Sequence, residues 1–200
     1  SMGVLIRELG LIVEALREGR KPDLAPLPIQ YVDYSVWQRQ WLEEGGILKQ
    51  QLAYWREQLN GLPDSLDLAT DYPRPTVQSL HGATYKFALD EQLTGQLRSL
   101  AERKGGTLFM SVMAAFKVLL HRYTDQQDIC VGSLIANRQY SETEGLIGMF
   151  VNTLALRSQV DGDDTFSAFL SQVKGTCLKA YENQDTPFEK VVDMLRPRRT

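Results

Sequence analysis

The sequence has few cysteines and histidines and no long uninterrupted apolar run. Its two cysteines, Cys130 and Cys177, lie far apart without metal-ligand spacing, which predicts neither a metal site nor a disulfide framework. Both have apolar neighbours, so we interpret them as reduced packing residues of a cytoplasmic protein. No stretch approaches the ~20 apolar residues that a membrane span requires, and we expect no membrane partner.

An excess of positive charge is also lacking. The formal net charge is -3, from 22 basic and 25 acidic residues, so a nucleic-acid partner is not expected. Hydrophobic residues make up 43% of the chain and charged residues 24%, which is typical of a soluble globular protein.

The two histidines, His81 and His121, are not flanked by a nucleophile or a paired acid. The sequence therefore gives no local indication of a Ser/His/Asp site. Gly145 and Gly148 are too few for a phosphate-binding loop, and they precede a predicted strand rather than a helix.

Periodicity predicts helices in the first part of the chain. Leu5, Leu9, Ile12 and Leu16 define one face of a helix over Val4–Arg17, and a proline-rich connector follows. Two amphipathic helices are predicted over Val32–Glu44 and Leu48–Leu59, separated by Gly45-Gly46. A second loop-rich linker begins at Pro63.

From residue 81 the pattern alternates between strands and helices. The segment Tyr85–Leu89 has strand periodicity, and strands are also predicted over Ile129–Ile135 and Phe150–Arg157. Asp90 and Thr107 are candidate caps for two helices, and the second, Leu108–Tyr123, is apolar on most sides and is expected to be central and buried. Further helices follow Thr165 and run over Phe188–Leu195. This order predicts an α/β sandwich.

Three short stretches point to a family. The chain contains YVDYSVW from Tyr31 through Asp33 to Trp37, IGMFVNTLALR with Gly148, Phe150, Asn152 and Arg157, and NQDTPFE from Asn183 to Glu189. In this order they resemble the Y-x-D-[FY]-x-x-W, I-G-x-F-V-N-T-x-x-x-R and [HN]-Q-D-x-P-F-E motifs of nonribosomal peptide synthetase condensation domains. The resemblance covers essentially the whole chain.

This resemblance implies a fold like that of chloramphenicol acetyltransferase, truncated at both ends. Residues 1–62 are expected to form a helical connecting segment, 63–80 a linker, and 81–200 an incomplete C-terminal α/β subdomain. The family's catalytic H-H-x-x-x-D-G motif is expected immediately upstream of Ser1, and a late R-D-x-S-R-N-P-L motif near Arg199. We therefore expect no catalytic residue and no metal ligand in this chain.

The resemblance also implies the reaction and its partners. Condensation domains form peptide bonds between aminoacyl or peptidyl thioesters, which arrive on the phosphopantetheine arms of donor and acceptor carrier domains. No directly bound cofactor is expected. The other implied partners are the adjacent adenylation domain and the missing N-terminal subdomain. This fragment alone is expected to be inactive.

The resemblance assigns roles residue by residue. The candidates for substrate binding are Asn152, Thr153, Arg157, Gln184 and Asp185. Asn152 suits alignment of a thioester or pantetheine arm, and Arg157 suits either the arm's phosphate or an internal carboxylate. The residues assigned to structural motifs are Tyr31, Asp33, Trp37, Gly148, Phe150, Pro187, Phe188 and Glu189.

Two alternatives stay open at this point. One is a degenerate condensation-like module that recruits a partner protein, such as a tailoring oxygenase, to the assembly line. The other is a different two-subdomain acyltransferase of the same superfamily, which would not be expected to carry all three motifs.

Overall fold

The computed structural model describes residues 1–73, 75, 77, 79 and 81–195. Seven helices and two strands form within these residues, together with a 3₁₀ turn at Ser141–Thr143. In chain order they are α1 (Met2–Arg17), α2 (Tyr31–Glu44), α3 (Ile47–Gln58), α4 (Glu91–Arg103), α5 (Leu108–Thr124), β1 (Asp128–Ile135), β2 (Asn152–Gln159), α6 (Phe166–Glu182) and α7 (Phe188–Leu195). The predicted helices are confirmed, with ends that differ by a few residues.

The described chain divides into two compact units, each assembled from separated stretches. The first unit contains residues 1–58, 133–154 and 183–195, and the second contains 59–132 and 155–182. The chain thus crosses between the units several times. The predicted boundaries at residues 62 and 80 do not coincide with this division and stay a prediction about domain organisation.

The first unit packs α3 against α2 and α7. The N-terminus of α2 has a capping box, because the Gln30 backbone N–H donates to Asp33 Oδ2 at 2.8 Å while the Gln30 side chain accepts from the backbone of Asp33. Asp33 therefore has a structural role at this helix start.

The second unit packs α5 between α4 and α6. Both predicted caps are observed: Asp90 Oδ1 accepts from the Leu93 N–H at 2.7 Å, and Thr107 Oγ1 accepts from the Met110 N–H at 3.4 Å. Each cap gives an acceptor to one of the N–H groups that a helix start leaves unpaired.

Strands β1 and β2 pair in a two-stranded sheet. The Val160 N–H donates to the Gln127 carbonyl at 2.7 Å, which places the end of β2 beside the start of β1, as in an antiparallel pair. Both strands lie close to the predicted ranges.

The predicted strand at Tyr85–Leu89 is wrong. The segment contains no strand, and Tyr85 and Phe87 are 88% and 77% exposed. A strand needs a neighbour to accept and donate its backbone hydrogen bonds, and no described segment pairs with this one.

The expectation that α5 is buried on all sides is also wrong. Met110, Met113, Ala114 and Leu120 are buried, whereas a second stripe of apolar residues stays exposed. That stripe consists of Phe109, Val112, Phe116, Leu119 and Tyr123. The helix is apolar on two faces, and within the described residues only one face is covered.

The buried face of α5 contains a lysine. Lys117 is fully buried, and its Nζ donates to the Leu156 carbonyl and to Ser158 Oγ, both at 2.7 Å. These bonds join α5 to β2. Burial lowers the pKa of Lys117 to about 8, because a charged ammonium is poorly stabilised away from water.

Candidate functional site

Asn152, the first residue of β2, holds the segment 184–188 in place. Its Nδ2 donates to the carbonyls of Gln184 and Thr186 at 2.9 and 2.8 Å, and its Oδ1 accepts from the Phe188 N–H at 3.0 Å. The amide thus uses both of its N–H donors on one loop. It brings together two of the three sequence motifs and fixes the start of α7.

Gln51 of α3 holds the same segment from the other side. Its Oε1 accepts from the Thr186 N–H and Thr186 Oγ1 at 2.9 and 3.0 Å, and its Nε2 donates to Asp185 Oδ2 at 2.8 Å. Both Gln51 and Thr186 are buried, so these bonds are shielded from water. We call Gln51, Asn152, Asp185 and Thr186 the Asn152 network.

Asp185 also connects this network to the loop after β1. Its Oδ1 accepts from Gln139 Nε2 at 2.8 Å, so the two carboxylate oxygens bind two different side-chain amides. Nearby, Trp55 Nε1 donates to the Asn183 carbonyl at 2.9 Å. The segment 183–188 is therefore fixed by side chains from α3, β2 and the loop after β1.

The first and second motifs meet in an aromatic cluster. The ring of Phe150 lies edge-on to Tyr31 at 5.2 Å between ring centroids and 4.8 Å from the ring of Tyr34. Tyr31 Oη donates to the Met149 carbonyl at 2.8 Å. Burial, and then the charge of Asp185, raises the pKa of the Tyr34 hydroxyl.

Gly148 is required by this packing. A Cβ at position 148 would lie 2.2 Å from Cδ2 of Tyr31, inside the ring's van der Waals surface. The glycine of the second motif thus allows close contact with the first residue of the first motif, a relation that the sequence pattern does not reveal.

Arg138 fixes the loop that carries these residues. Its guanidinium lies 4.1 Å above the centroid of the Phe150 ring and donates to the carbonyls of Thr143 and Leu146 and to Ser1 Oγ. Sequence reasoning did not single out Arg138, Gln51 or Thr186. Gln51 could have been found, because it lies on the helix face of Leu48 and Trp55, where a polar residue needs a partner.

Arg157 lies in the second unit. Its Nε and Nη2 donate to the two carboxylate oxygens of Asp128 at 2.9 and 2.6 Å, and its Nη1 donates to the Asn60 carbonyl at 2.8 Å. The hydrogen bonds from Arg157 lower the pKa of Asp128. Of the two expected partners, an internal carboxylate is the one observed.

The structure thus brings together Asn152, Gln184 and Asp185, with Pro187, Phe188 and Glu189 at the start of α7. Thr153 follows Asn152 in β2, and the substrate-binding roles of all five predicted residues stay predictions. Neither histidine belongs to the network: His121 Nδ1 is bonded to the Gln126 carbonyl at 2.9 Å in the second unit.

Two structural findings concern metals and membranes. In the part of the chain that is described, no group of three or more His, Cys, Asp or Glu side chains is arranged to hold a metal ion. Among the described helices, none combines the length and the apolar character of a membrane span.

Comparison with known proteins explains why these motifs occur together in this order. Residues 1–200 match the family model described as Condensation domain. The chain belongs to the condensation domain family. Its α/β fold is therefore that of the condensation domains, which resemble chloramphenicol acetyltransferase.

Three relatives illustrate the similarity. The whole chain is 50% identical to part of a linear gramicidin synthase of Brevibacillus parabrevis, covering 3% of that protein. It is 44% identical to phosphinothricin tripeptide synthetase PhsC of Streptomyces viridochromogenes, covering 18% of it. The X-domain from teicoplanin biosynthesis, solved alone and in a complex with OxyB, has a TM-score of 0.90 and 29% identity.

This condensation domain sequence spans only part of each relative. It aligns over its full length with the X-domain but covers 45% of that chain. It covers 3% and 4% of two linear gramicidin synthases of Brevibacillus parabrevis.

Proposed function

We propose that this chain is part of a condensation domain that forms peptide bonds between carrier-bound thioesters in nonribosomal peptide synthesis. Family membership and the identity to peptide synthetases support this proposal. The observation that carries it is the Asn152 network, in which the side chains of Asn152 and Gln51 bind residues 184–188 and join the second and third family motifs.

The proposed reaction is the aminolysis of a thioester. The acceptor amine attacks the donor's carbonyl carbon, a C–N bond forms, the C–S bond breaks, and the arm's sulfur leaves as a thiol. The attacking nitrogen loses a proton, for which the histidine motif expected upstream of Ser1 is suited. The two phosphopantetheine arms are substrates that carrier domains present, and the adjacent adenylation domain supplies the amino acid. We place the parent protein in the cytoplasm.

In this proposal Asn152 acts as a positioning residue. Its amide donors are occupied by the carbonyls of residues 184 and 186, so it acts through the loop that it holds. A loop held within a fraction of an ångström keeps a bound arm in a reactive orientation, and loss of such positioning lowers rates strongly. Gln184, Asp185 and Thr153 are the neighbouring candidates for contact with the arm.

The test uses the synthetase that contains this chain, with donor and acceptor carrier domains loaded. Product is measured as the rate of peptidyl transfer by mass spectrometry. We expect Asn152→Ala to lower this rate about tenfold or more, because the loop that it holds is no longer fixed. Asn60→Ala, the same change at an exposed residue, is expected to leave the rate unaltered. Peptide formation that persists after replacement of the second histidine upstream of Ser1 would contradict the condensation proposal.

The recruitment module is the second candidate, and the X-domain similarity favours it. That domain has been solved in a complex with OxyB, and it superimposes on the entire chain. A direct binding measurement between the parent domain and a candidate partner separates the two functions. Partner binding without any peptidyl transfer supports recruitment, and transfer without such a partner supports condensation.

A further inference from the structure

A cleft of about 400 Å³ opens in the first unit between α2 and the loop after β1. Pockets that bind small molecules have volumes of roughly 300–1,000 Å³, so the space is sufficient for a small ligand. The cleft is lined by Ile29, Asp33, Tyr34, Trp37, Tyr140, Glu142 and Thr143. None of these residues belongs to the Asn152 network.

Aromatic rings form much of the wall. The Trp37 ring lies edge-on to Tyr140 at 5.0 Å between centroids and 5.8 Å from Tyr34, and it stacks on Trp41 at 5.4 Å. Trp37 is 38% exposed and Tyr140 is 45% exposed, so both rings are fixed by neighbours and still reach solvent. Such π-systems attract cations and also bury apolar chains.

The charged residues of the lining are both acidic. Asp33 and Glu142 have no ion-pair partner among the described residues. One oxygen of Asp33 accepts the Gln30 N–H, and Glu142 Oε2 accepts from the Ser141 hydroxyl. Arg138 of the same loop does not line the cleft, since its guanidinium is bonded to backbone carbonyls and lies over Phe150.

We propose that this cleft binds a small organic cation, an alkylammonium or alkylguanidinium. The charged head meets the carboxylates of Asp33 and Glu142, and the alkyl chain lies against Trp37 and Tyr140. Carboxylates and ring faces both favour positive charge, while an anion of the same shape is repelled and a neutral alcohol gains only the apolar contact. This inference is independent of the proposed catalytic function.

The probe is n-butylammonium, titrated at low salt into the ¹⁵N-labelled chain. The reporter is the indole Nε1–H signal of Trp37, assigned by its disappearance in Trp37→Phe. We expect a saturable shift with butylammonium. The matched neutral and anionic probes, 1-butanol and butyrate, are expected to bind about threefold or more weakly, given the modest size of exposed charge and cation–π interactions.

Two variants test the two parts of the cleft. Glu142→Gln removes a charge at an exposed position, and Tyr140→Leu removes a ring and keeps both charges. Each is expected to weaken butylammonium binding about threefold, whereas Glu91→Gln on α4 leaves it unchanged. Circular dichroism checks that all variants fold.

Three results would overturn the inference. The first is the absence of a saturable shift of the Trp37 signal. The second is equal affinity for butylammonium and 1-butanol, which would mean that the cleft does not recognise charge. The third is an equal response of Glu142→Gln and Glu91→Gln, which would mean that only the net charge of the chain matters.

Discussion

At the scale of single residues, the closest contact between two family motifs is that of Gly148 with Tyr31. A Cβ at position 148 would lie 2.2 and 2.5 Å from two ring carbons of Tyr31. We expect Gly148→Ala to lower the free energy of unfolding by about 1–3 kcal/mol, because the ring or the loop must move to make room. Urea denaturation measures this difference.

A double-mutant cycle identifies the cause. In a Tyr31→Ala background the clash is gone, so Gly148→Ala should then cost much less. Gly10→Ala is the matched control, since Gly10 lies within α1 with open space around it, and alanine there should stabilise the helix by about 0.5–1 kcal/mol. An equal cost of Gly148→Ala in both backgrounds would exclude the ring as its cause.

Lys117 makes stability depend on pH. Its pKa in the folded chain is about 8, below the ~10.4 expected in the unfolded chain. Below pH 8 both states hold the proton and the full cost of burying the charge is present. Between pH 8 and about 10.4 the folded state loses the proton first, so stability rises with pH, in total by on the order of 3 kcal/mol.

The rise is measured as the difference between the wild-type chain and Lys117→Met. This comparison is needed because burial raises the pKa of Cys130 to about 11, and a raised thiol pKa makes stability fall as pH increases from about 9. We expect the wild-type chain to gain stability relative to Lys117→Met between pH 8 and 10 in urea titrations. A difference that stays constant over this range would contradict the assignment.

At the scale of elements, local rules predicted the helices well. Asp90 and Thr107 could be identified as caps because a helix start exposes N–H groups that a nearby side-chain oxygen can accept. The apolar spacing of α1 likewise depends only on 3.6-residue periodicity. Both signals are contained within a few neighbouring residues.

The segment Tyr85–Leu89 shows the limit of local rules. Alternating apolar residues describe what a strand would bury, but whether it forms depends on a partner elsewhere. The same holds for α5, whose second apolar stripe has no cover among the described residues.

This difference predicts unequal costs for the same substitution within the second unit. Phe87 is 77% exposed, so Phe87→Ala should change the free energy of unfolding by less than about 0.5 kcal/mol. Phe169 of α6 is buried, and Phe169→Ala should cost about 3–5 kcal/mol. A cost above about 1 kcal/mol for Phe87→Ala would show that the segment packs in solution.

At the scale of the whole molecule, α1 presents an uncovered apolar stripe. Met2, Ile6, Leu9, Val13 and Leu16 recur every three or four residues and are all exposed. Exposed apolar patches of this kind promote association. We expect the chain to self-associate at high concentration and Ile6→Glu with Leu16→Glu to make it monomeric, as measured by sedimentation velocity.

The control adds the same charge at another surface. Gln92→Glu with Gln96→Glu introduces two carboxylates on the polar side of α4 and should leave the association unchanged. If both pairs dissociate the chain equally, net charge rather than the α1 stripe controls association. A wild-type chain that stays monomeric at all concentrations would contradict the expectation.

The sequence by itself determined the helices, their caps, the family and the three motifs, because these depend on spacing between near neighbours or on residue order. Only the tertiary structure decided what the motif residues bind. Asn152 contacts residues more than 30 positions away, Gln51 contacts Thr186, and Arg157 pairs with Asp128. Such partners are selected by packing of distant segments, and a linear pattern records which side chains need a partner but not which partner they meet.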